Sequence, residues 1–122
     1  MTNVMRIPRT IGSAGIGGAS MDNVGDHYAS GDWVVTAGNE AAFLARWREF
    51  LGWTRAAAPG LQWARLIQDA ENPRHFVSFA SWESVEALRS WRSLPEFASM
   101  LGACRALCDD FRGGNYLVVA TV

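Results

Sequence analysis

The chain has 122 residues, of which 49% are hydrophobic, enough for one domain with its own core. Its formal net charge of -1 does not favour nucleic acid or an anionic membrane surface as a partner, and no apolar run approaches the roughly 20 residues that span a bilayer. All basic residues are arginines, so Schiff-base chemistry on a lysine is excluded.

The first 30 residues are rich in glycine and poor in large apolar residues, which predicts a flexible N-terminal arm over residues 1–30. The glycines between Gly12 and Gly18 resemble a phosphate-binding loop. No strand pattern precedes them and no helix pattern follows, so their context argues against a dinucleotide site. The folded domain is predicted over residues 31–122, and whether the arm lies on a partner subunit stays open.

The first half of the domain reads as a strand, a helix and a second strand. Residues 32–36 form the first predicted strand, and Asn39 is the predicted N-cap of a helix that runs to about Thr54. Phe43, Trp47 and Phe50 recur at helical spacing and form its apolar stripe. A proline-glycine break then leads to a strand over residues 61–68.

The second half continues with a hairpin, two helices and a last strand. A turn over residues 69–73 leads to a strand over residues 75–82, and Ser84 caps a short helix. Pro95 opens a longer helix whose apolar stripe extends to Phe111 and which Gly113-Gly114 ends. The apolar run over residues 115–122 is the last predicted strand. Two βαβ-type halves joined by a hairpin predict a ferredoxin-like α+β fold, a βαββ(αα)β antiparallel sheet with helices on one face.

The strand over residues 75–82 is apolar on both of its sides. One side carries Phe76, Ser78, Ala80 and Trp82, and the other carries Val77, Phe79 and Ser81. A sheet face in contact with water should be largely polar, which neither side is. We therefore predict a homodimer in which the two sheets pack face to face.

The two cysteines, Cys104 and Cys108, lie four residues apart in the predicted long helix. Adjacent turns of a helix hold side chains in poor geometry for a disulfide, so both are predicted to be free thiols in a reducing compartment, and the expected location is the cytoplasm. No histidine or further cysteine neighbours them to complete a metal site.

Two motifs carry a family resemblance that covers residues 31–122. They are Val35-x-x-Gly38-x-Glu40 and Phe79-x-x-Trp82-Glu83-Ser84-x-Glu86-Ala87-x-x-x-Trp91. In these motifs and in its order of elements the chain resembles the antibiotic biosynthesis monooxygenase family of dimeric α+β-barrel proteins. The resemblance implies relatives of several kinds: cofactor-free oxygenases that convert anthrone-type polyketides into quinones, haem-degrading enzymes, isomerase-like members and proteins of no known activity.

The resemblance also implies roles for single residues. The quinone-forming members use a tryptophan that matches Trp82 and an asparagine at the place of Ser78, where serine can donate one hydrogen bond but lacks the two-donor amide. These two are the predicted catalytic residues. The haem-degrading members carry their axial histidine at the place of Met100, so haem degradation is disfavoured and Met100 is instead a predicted substrate contact.

Further substrate contacts are predicted from the tryptophans and one arginine. Trp33, Trp63 and Trp91, together with Trp82, fall on elements that could line a cavity between sheet and helices, where their rings could stack on a flat ligand. The alternative is that they fill the core. Arg65 could bind an anionic oxygen of the substrate, or could reach water or a neighbouring carboxylate. His75 could act as a base, but its strand position predicts the dimer side or solvent.

The sequence thus predicts a cytoplasmic, homodimeric, cofactor-independent monooxygenase that uses molecular oxygen as co-substrate and oxidises an aromatic polyketide-type substrate, an anthrone or phenol. No metal or flavin is expected, and neither nucleic acid nor a membrane is an expected partner. Two alternatives stay open. The chain could be a non-oxidative cyclase or isomerase, or a small-molecule-binding domain of the same fold, and it could be a structural dimer without a pocket.

Overall fold

A computed structural model describes residues 22–122, so most of the predicted N-terminal arm lies outside the described residues. The elements in chain order are β1 (His27–Val35), α1 (Glu40–Ala57), β2 (Leu61–Gln68), β3 (His75–Trp82), α2 (Val85–Arg92), α3 (Phe97–Arg105) and β4 (Cys108–Leu117). The strands form one sheet in the order β2-β3-β1-β4, and each neighbouring pair is antiparallel. This confirms the predicted ferredoxin-like α+β fold, as an open four-stranded sheet and not a closed barrel.

Strand β1 begins earlier than the sequence pattern predicted, because part of the predicted arm belongs to the sheet. It starts at His27, and Ala29 and Gly31 face the helices opposite Ala80 and Ser78 of β3. Small residues at these inward positions give no alternation of large apolar and polar residues, so the segment lacked a strand signal. The folded domain therefore includes residues that were predicted to be flexible.

Strand β4 also differs from the prediction. The long helix ends at Arg105, and the last strand begins at Cys108 instead of residue 115. Phe111 was placed on a helical stripe, but it lies in β4, and its ring centroid is 4.1 Å from that of Trp33. Pairing with β1 outweighs the local helical pattern, and the glycine pair lies within the strand instead of ending a helix.

Because β4 begins at Cys108, the two cysteines lie in different elements. Cys104 is buried in the last turn of α3 and Cys108 is the first residue of β4, so they do not share a helix face, and both are free thiols. The Cys108 thiol donates to the Cys104 carbonyl oxygen over 3.5 Å. Burial raises the pKa of Cys104 to about 12 and that of Cys108 to about 11, so neither is a reactive thiolate at neutral pH.

Helix α2 begins as the motif predicted. The backbone N–H of Ala87 donates to Ser84 Oγ over 3.0 Å, which is an N-cap contact, and Leu88 and Trp91 are buried beneath the helix. Asn39 precedes α1 but does not cap it through its side chain. Its amide nitrogen donates instead to the Leu107 carbonyl oxygen, 3.4 Å away, and so ties the start of α1 to the segment before β4.

The helices pack on one face of the sheet and leave the other face open. The apolar side chains of that open face include Tyr28, Val34, Trp63, Ile67, Val77, Phe79 and Tyr116. The Tyr28 ring lies edge-on to those of Trp63 and Phe79, with centroids 5.3 Å and 6.5 Å apart. No helix within residues 22–122 is long and apolar enough to cross a bilayer.

Candidate functional site

A cavity of about 300 Å³ lies between the sheet and the helices. Its lining comprises Ala29, Ser30, Gly31, Trp33, Trp47, Phe50, Leu51, Ser78, Phe79, Ala80, Trp91, Arg92, Phe97, Leu101, Phe111 and Gly113, although the ring of Phe79 points to the open face, toward Tyr28. Aromatic rings dominate the walls, and the polar side chains are few, as is usual for a small-molecule site. The cavity can therefore hold a flat, largely apolar ligand of modest size.

Ser78 supplies a buried hydroxyl to this cavity. The indole N–H of Trp33 donates to Ser78 Oγ over 3.0 Å, and both residues are buried. The hydroxyl oxygen is thus used as an acceptor, and within residues 22–122 its own proton has no acceptor. The Ser30 hydroxyl donates to the Ser78 carbonyl oxygen over 2.9 Å, which fixes the backbone beneath it. Ser78 is therefore held so that its O–H can donate to a ligand oxygen.

Gly31 makes this arrangement possible. A Cβ atom at Gly31 would lie 2.7 Å from Trp33 Nε1 and 2.9 Å from Ser78 Oγ, closer than such atoms approach. The absence of a side chain therefore leaves room for the hydrogen bond. Sequence reasoning missed this residue, although a glycine inside a strand is a recognised sign of a close approach.

Trp91 presents its ring to the cavity, while Trp82 lies next to it in the core. Their ring centroids are 4.8 Å apart, and Trp91 Nε1 donates to Thr54 Oγ1 over 2.9 Å, which fixes the ring orientation. Trp82 is 1% exposed and does not line the cavity. Its Nε1 has no hydrogen-bond partner within the described residues. The catalytic role of Trp82 stays a prediction, and the structure places its ring as support for Trp91.

Met100 lies one position away from the cavity wall. It is half-buried and packs against the core, while Phe97 and Leu101 of the same helix line the cavity. Phe97 and Leu101 are four residues apart and share one face of α3, whereas Met100 directly precedes Leu101 and therefore lies on a different face of the helix. The predicted contact of Met100 with a substrate stays a prediction that this geometry does not favour.

Trp63 and Arg65 lie on the open face of the sheet, so the expectation that they line a cavity beneath the helices is wrong. The reason is an irregularity in β2: Leu61 pairs with Trp82 and is buried, but Trp63 pairs with Ser81 on the opposite face. One extra residue in the strand reverses the alternation. The Arg65 guanidinium lies over the Trp63 ring, 5.1 Å from its centroid.

Arg92 is a cavity residue that sequence reasoning missed. It is the last residue of α2, directly after Trp91, and its guanidinium carbon is 5.9 Å from the centroid of the Trp91 ring. Burial lowers the pKa of Arg92 below its ordinary value. The available signal was a cation next to a motif tryptophan.

His75 lies outside the cavity, on the open face, as its strand position predicted. Its Nε2 is 2.9 Å from Asp32 Oδ1, and its Nδ1 is 3.1 Å from Asp69 Oδ2. The hydrogen bond to Asp69, followed by that to Asp32, raises the pKa of His75. A residue on this face cannot act as a base on a ligand in the cavity.

The site therefore provides a flat aromatic cavity, a hydroxyl donor from Ser78 and a cation from Arg92. Within residues 22–122, no group of three or more His, Cys, Asp or Glu side chains could hold a metal ion. None of the lining residues is acidic or a histidine. The arrangement can orient a flat aromatic molecule and stabilise negative charge on its oxygens, but it supplies no strong base.

The fold has several solved counterparts. SnoaB, a cofactor-independent oxygenase from Streptomyces nogalater, is 21% identical with a TM-score of 0.72, and the match covers 80% of this chain and 97% of SnoaB. A conserved protein from Methanosarcina mazei is 14% identical with a TM-score of 0.69 over 77% of this chain and 93% of that one. A protein from Pseudomonas aeruginosa is 18% identical with a TM-score of 0.65 over 79% and 96%.

At these identities the likeness establishes the fold alone, and a search of curated proteins found no match. The sequence itself is more informative. The family model described as antibiotic biosynthesis monooxygenase matches residues 29–102, which span β1 to α3 and include the predicted motif around Trp82. This chain therefore belongs to the antibiotic biosynthesis monooxygenase family.

Proposed function

We propose that this chain is a cofactor-independent monooxygenase that oxidises a planar aromatic substrate of the polyketide type, an anthrone or an electron-rich phenol. The observation that carries the proposal is the Ser78 hydroxyl, which Trp33 holds inside a cavity walled by aromatic rings. The description of SnoaB, which shares the fold, as a cofactor-independent oxygenase supports it. Family membership supports the monooxygenase class.

The proposed reaction needs only the substrate and dioxygen. An anthrone loses a proton and becomes an enolate, which passes one electron to dioxygen and leaves a substrate radical and superoxide. The two combine to form a carbon–oxygen bond, and protonation gives a hydroperoxide. Loss of water then breaks the O–O bond and removes the second hydrogen from that carbon. In sum, the CH2 group and O2 become a carbonyl group and water.

The protein's part in this reaction is to bind, orient and stabilise charge. The flat walls hold the ring system, and Ser78 O–H donates to the oxygen on which the enolate charge develops. In the described part of the chain, no acidic residue or histidine lines the cavity to remove the first proton. The proton must therefore pass to water or buffer, and the substrate must be one whose anion gives up an electron readily, as the anions of anthrones and electron-rich phenols do.

Oxygen uptake tests the proposal. Purified protein treated with a chelator, without flavin, is given dihydroxyanthrone, and the rate in buffer alone is subtracted. We expect quinone formation with one O2 consumed per product. Ser78→Ala should lower the rate by roughly 10- to 100-fold, the effect of losing a hydrogen bond to a developing charge. Ser99→Ala, on an exposed position of α3, is the matched control and should leave the rate unchanged.

Binding without oxygen uptake, over a panel of anthrones and hydroquinones, would contradict the oxygenase and leave a binding or non-oxidative role. Equal rates for Ser78→Ala and the control would contradict the role of the hydroxyl.

We further propose that the enzyme is a homodimer that buries the open face of the sheet. Ile67 and Tyr116 on that face are 50% and 58% exposed in the single chain, next to the aromatic group around Tyr28. An apolar face of this kind is stable in water when a second copy covers it.

Sedimentation at micromolar concentration tests the dimer, and the expected species has twice the chain mass. Ile67→Glu places a charge in the proposed interface without touching the core and should shift the protein to monomer. Ala45→Glu, on the exposed side of α1, is the matched control and should sediment as the wild type. A monomeric wild-type protein would contradict the proposal.

A further inference from the structure

Among residues 22–122, one ionisable side chain lines the cavity, and that side chain is a cation. Of the residues that line it, only Arg92 carries a charge. Arg92 is exposed to solvent and also lines the cavity, and its guanidinium carbon lies 5.9 Å from the centroid of the Trp91 ring, so the cation is reachable from both. The electrostatic potential that a bound ligand meets is therefore positive near Arg92.

Arg92 has no carboxylate partner within the described residues, unlike two other arginines. Arg46 pairs with Glu49 and Arg74 pairs with Asp109. Within residues 22–122, no carboxylate lies within ion-pair distance of Arg92, and its side chain donates no hydrogen bond. The loss of water that lowers its pKa is thus not compensated by an opposite charge. A ligand with a negative oxygen would supply that charge.

We propose that Arg92 binds an anionic oxygen of the substrate, so that the substrate is a planar aromatic molecule carrying a carboxylate or an ionised phenol at its edge. This inference rests on the proposed function and narrows its substrate class. Arginine suits the role because its planar group can lie against the Trp91 ring and still present two N–H donors to one anion.

Two fixed polar points would then set the orientation of the substrate. Ser78 projects from β3 in the sheet, and Arg92 ends α2 in the helical layer, so the ligand is held from both layers. Its flat face would lie against Trp91, its anionic edge would meet Arg92, and an inner oxygen would accept from Ser78. An arrangement with separate donors at different points discriminates among flat molecules that stacking alone would bind equally.

The charge of Arg92 also affects how the substrate loses its proton at a site where no lining residue of the described chain is a base. A positive charge near a phenol or enol favours its ionised form and so lowers its pKa in the complex. Because no lining residue can accept a proton strongly, Arg92 would help by stabilising the anion that reacts with dioxygen.

A pair of matched probes tests the carboxylate form of the inference. Anthraquinone carboxylate and anthraquinone carboxamide have nearly the same shape and differ in charge, and their binding is measured by quenching of tryptophan fluorescence. We expect the wild type to prefer the carboxylate by about tenfold or more, as for a charge-assisted contact. Arg92→Gln should lose this preference and bind the carboxamide unchanged, and Arg92→Lys should retain part of it.

Arg89→Gln is the matched control. Arg89 lies one turn earlier on α2, is exposed and does not line the cavity, so its loss removes the same charge from the helix end. The control should keep the wild-type preference. If Arg92 only stabilised the end of α2, Arg92→Gln would lower the thermal midpoint without changing the ratio of the two affinities, which would overturn the inference.

A phenolic probe tests the other source of the anion. Dihydroxyanthraquinone changes its visible absorption when it ionises, so its pKa can be read in the complex. A pKa that is lower in wild type than in Arg92→Gln supports a bound phenolate, and a carboxylate preference without this shift supports a bound carboxylate. Equal affinities and an equal pKa in both proteins would overturn the inference and leave the aromatic cavity standing. No binding of any probe would overturn the proposed function as well.

Discussion

The hydrogen bond between Trp33 and Ser78 can be measured by a double-mutant cycle. The indole N–H and the hydroxyl oxygen are 3.0 Å apart, and the residues are 2% and 9% exposed, so bulk water competes weakly. Ser78→Ala leaves a buried N–H without a partner, which costs about 1–3 kcal/mol. Trp33→Phe removes the donor together with ring contacts to Phe43 and Phe111. The double variant removes both hydrogen-bonding groups, so its cost should fall below the sum of the single costs by about 1 kcal/mol.

Urea unfolding of the four proteins, at one fixed protein concentration because of the proposed dimer, gives the coupling energy. The size of the Ser78→Ala effect carries further information. If water enters the cavity and satisfies the indole, the cost should lie near the lower end of the range, and if the cavity is dry it should lie near the upper end. Coupling of zero within error would refute the hydrogen bond and with it the placement of the hydroxyl proton toward a ligand.

Two further predictions concern a glycine and a histidine. Gly31→Ala should destabilise the fold by about 1–3 kcal/mol and abolish substrate binding, because the new Cβ meets the buried hydrogen-bonded pair. Gly52→Ala is the control: Gly52 is exposed on α1 with no neighbour within 4 Å, so this change should stabilise the fold by about 0.5–1 kcal/mol. Equal effects of the two changes in urea unfolding would contradict the close approach at Gly31. The hydrogen bond to Asp69, followed by that to Asp32, raises the pKa of His75 in the folded protein. Protonated His75 therefore stabilises the fold fully at a pH below its unfolded pKa of about 6.5, and this stabilisation is lost as the pH rises through the raised folded value. Unfolding measured across this window should show the slope in wild type and a flat profile in His75→Gln, and the same slope in both would contradict the assignment.

The fold could be predicted from sequence because its main signals are redundant. The helical stripe of α1, the capped start of α2 and the two-sided apolar strand β3 each point to helices on one face of an antiparallel sheet. The ends of the sheet could not be predicted in the same way. The first residues of β1 form a strand because they pair with β3 and with the end of β4, and the first residues of β4 form a strand because they pair with the end of β1. Such pairing over long sequence distance leaves no local trace.

The site was only partly predictable, for a related reason. Ser78, Trp33 and Trp91 lie at the cavity as expected, because the regular alternation of β1 and β3 and the spacing of the motif hold. Trp63 and Arg65 do not, because one extra residue in β2 moves both to the other face, and nothing in the local composition marks that irregularity.

The cavity itself depends on a patch of small residues in the sheet, which a last prediction exploits. Ala29 pairs with Ala80, and Gly31 pairs with both Ser78 and Gly113, so the inward positions at the centre of three strands carry little volume. The large rings lie around this patch. The small side chains at these strand positions therefore leave the space that forms the floor of the cavity.

Filling that floor should separate binding from stability. Ala80→Leu adds three carbons that project into the cavity, and burying them contributes up to about 2 kcal/mol. We expect unfolding in urea at unchanged or higher concentration than for wild type, together with loss of anthraquinone carboxylate binding and of oxygen uptake. A close-packed core at this position would instead be strained by the larger side chain and lose about 1–3 kcal/mol. Destabilisation of that size would show that no open cavity exists at Ala80, whatever ligand the protein binds.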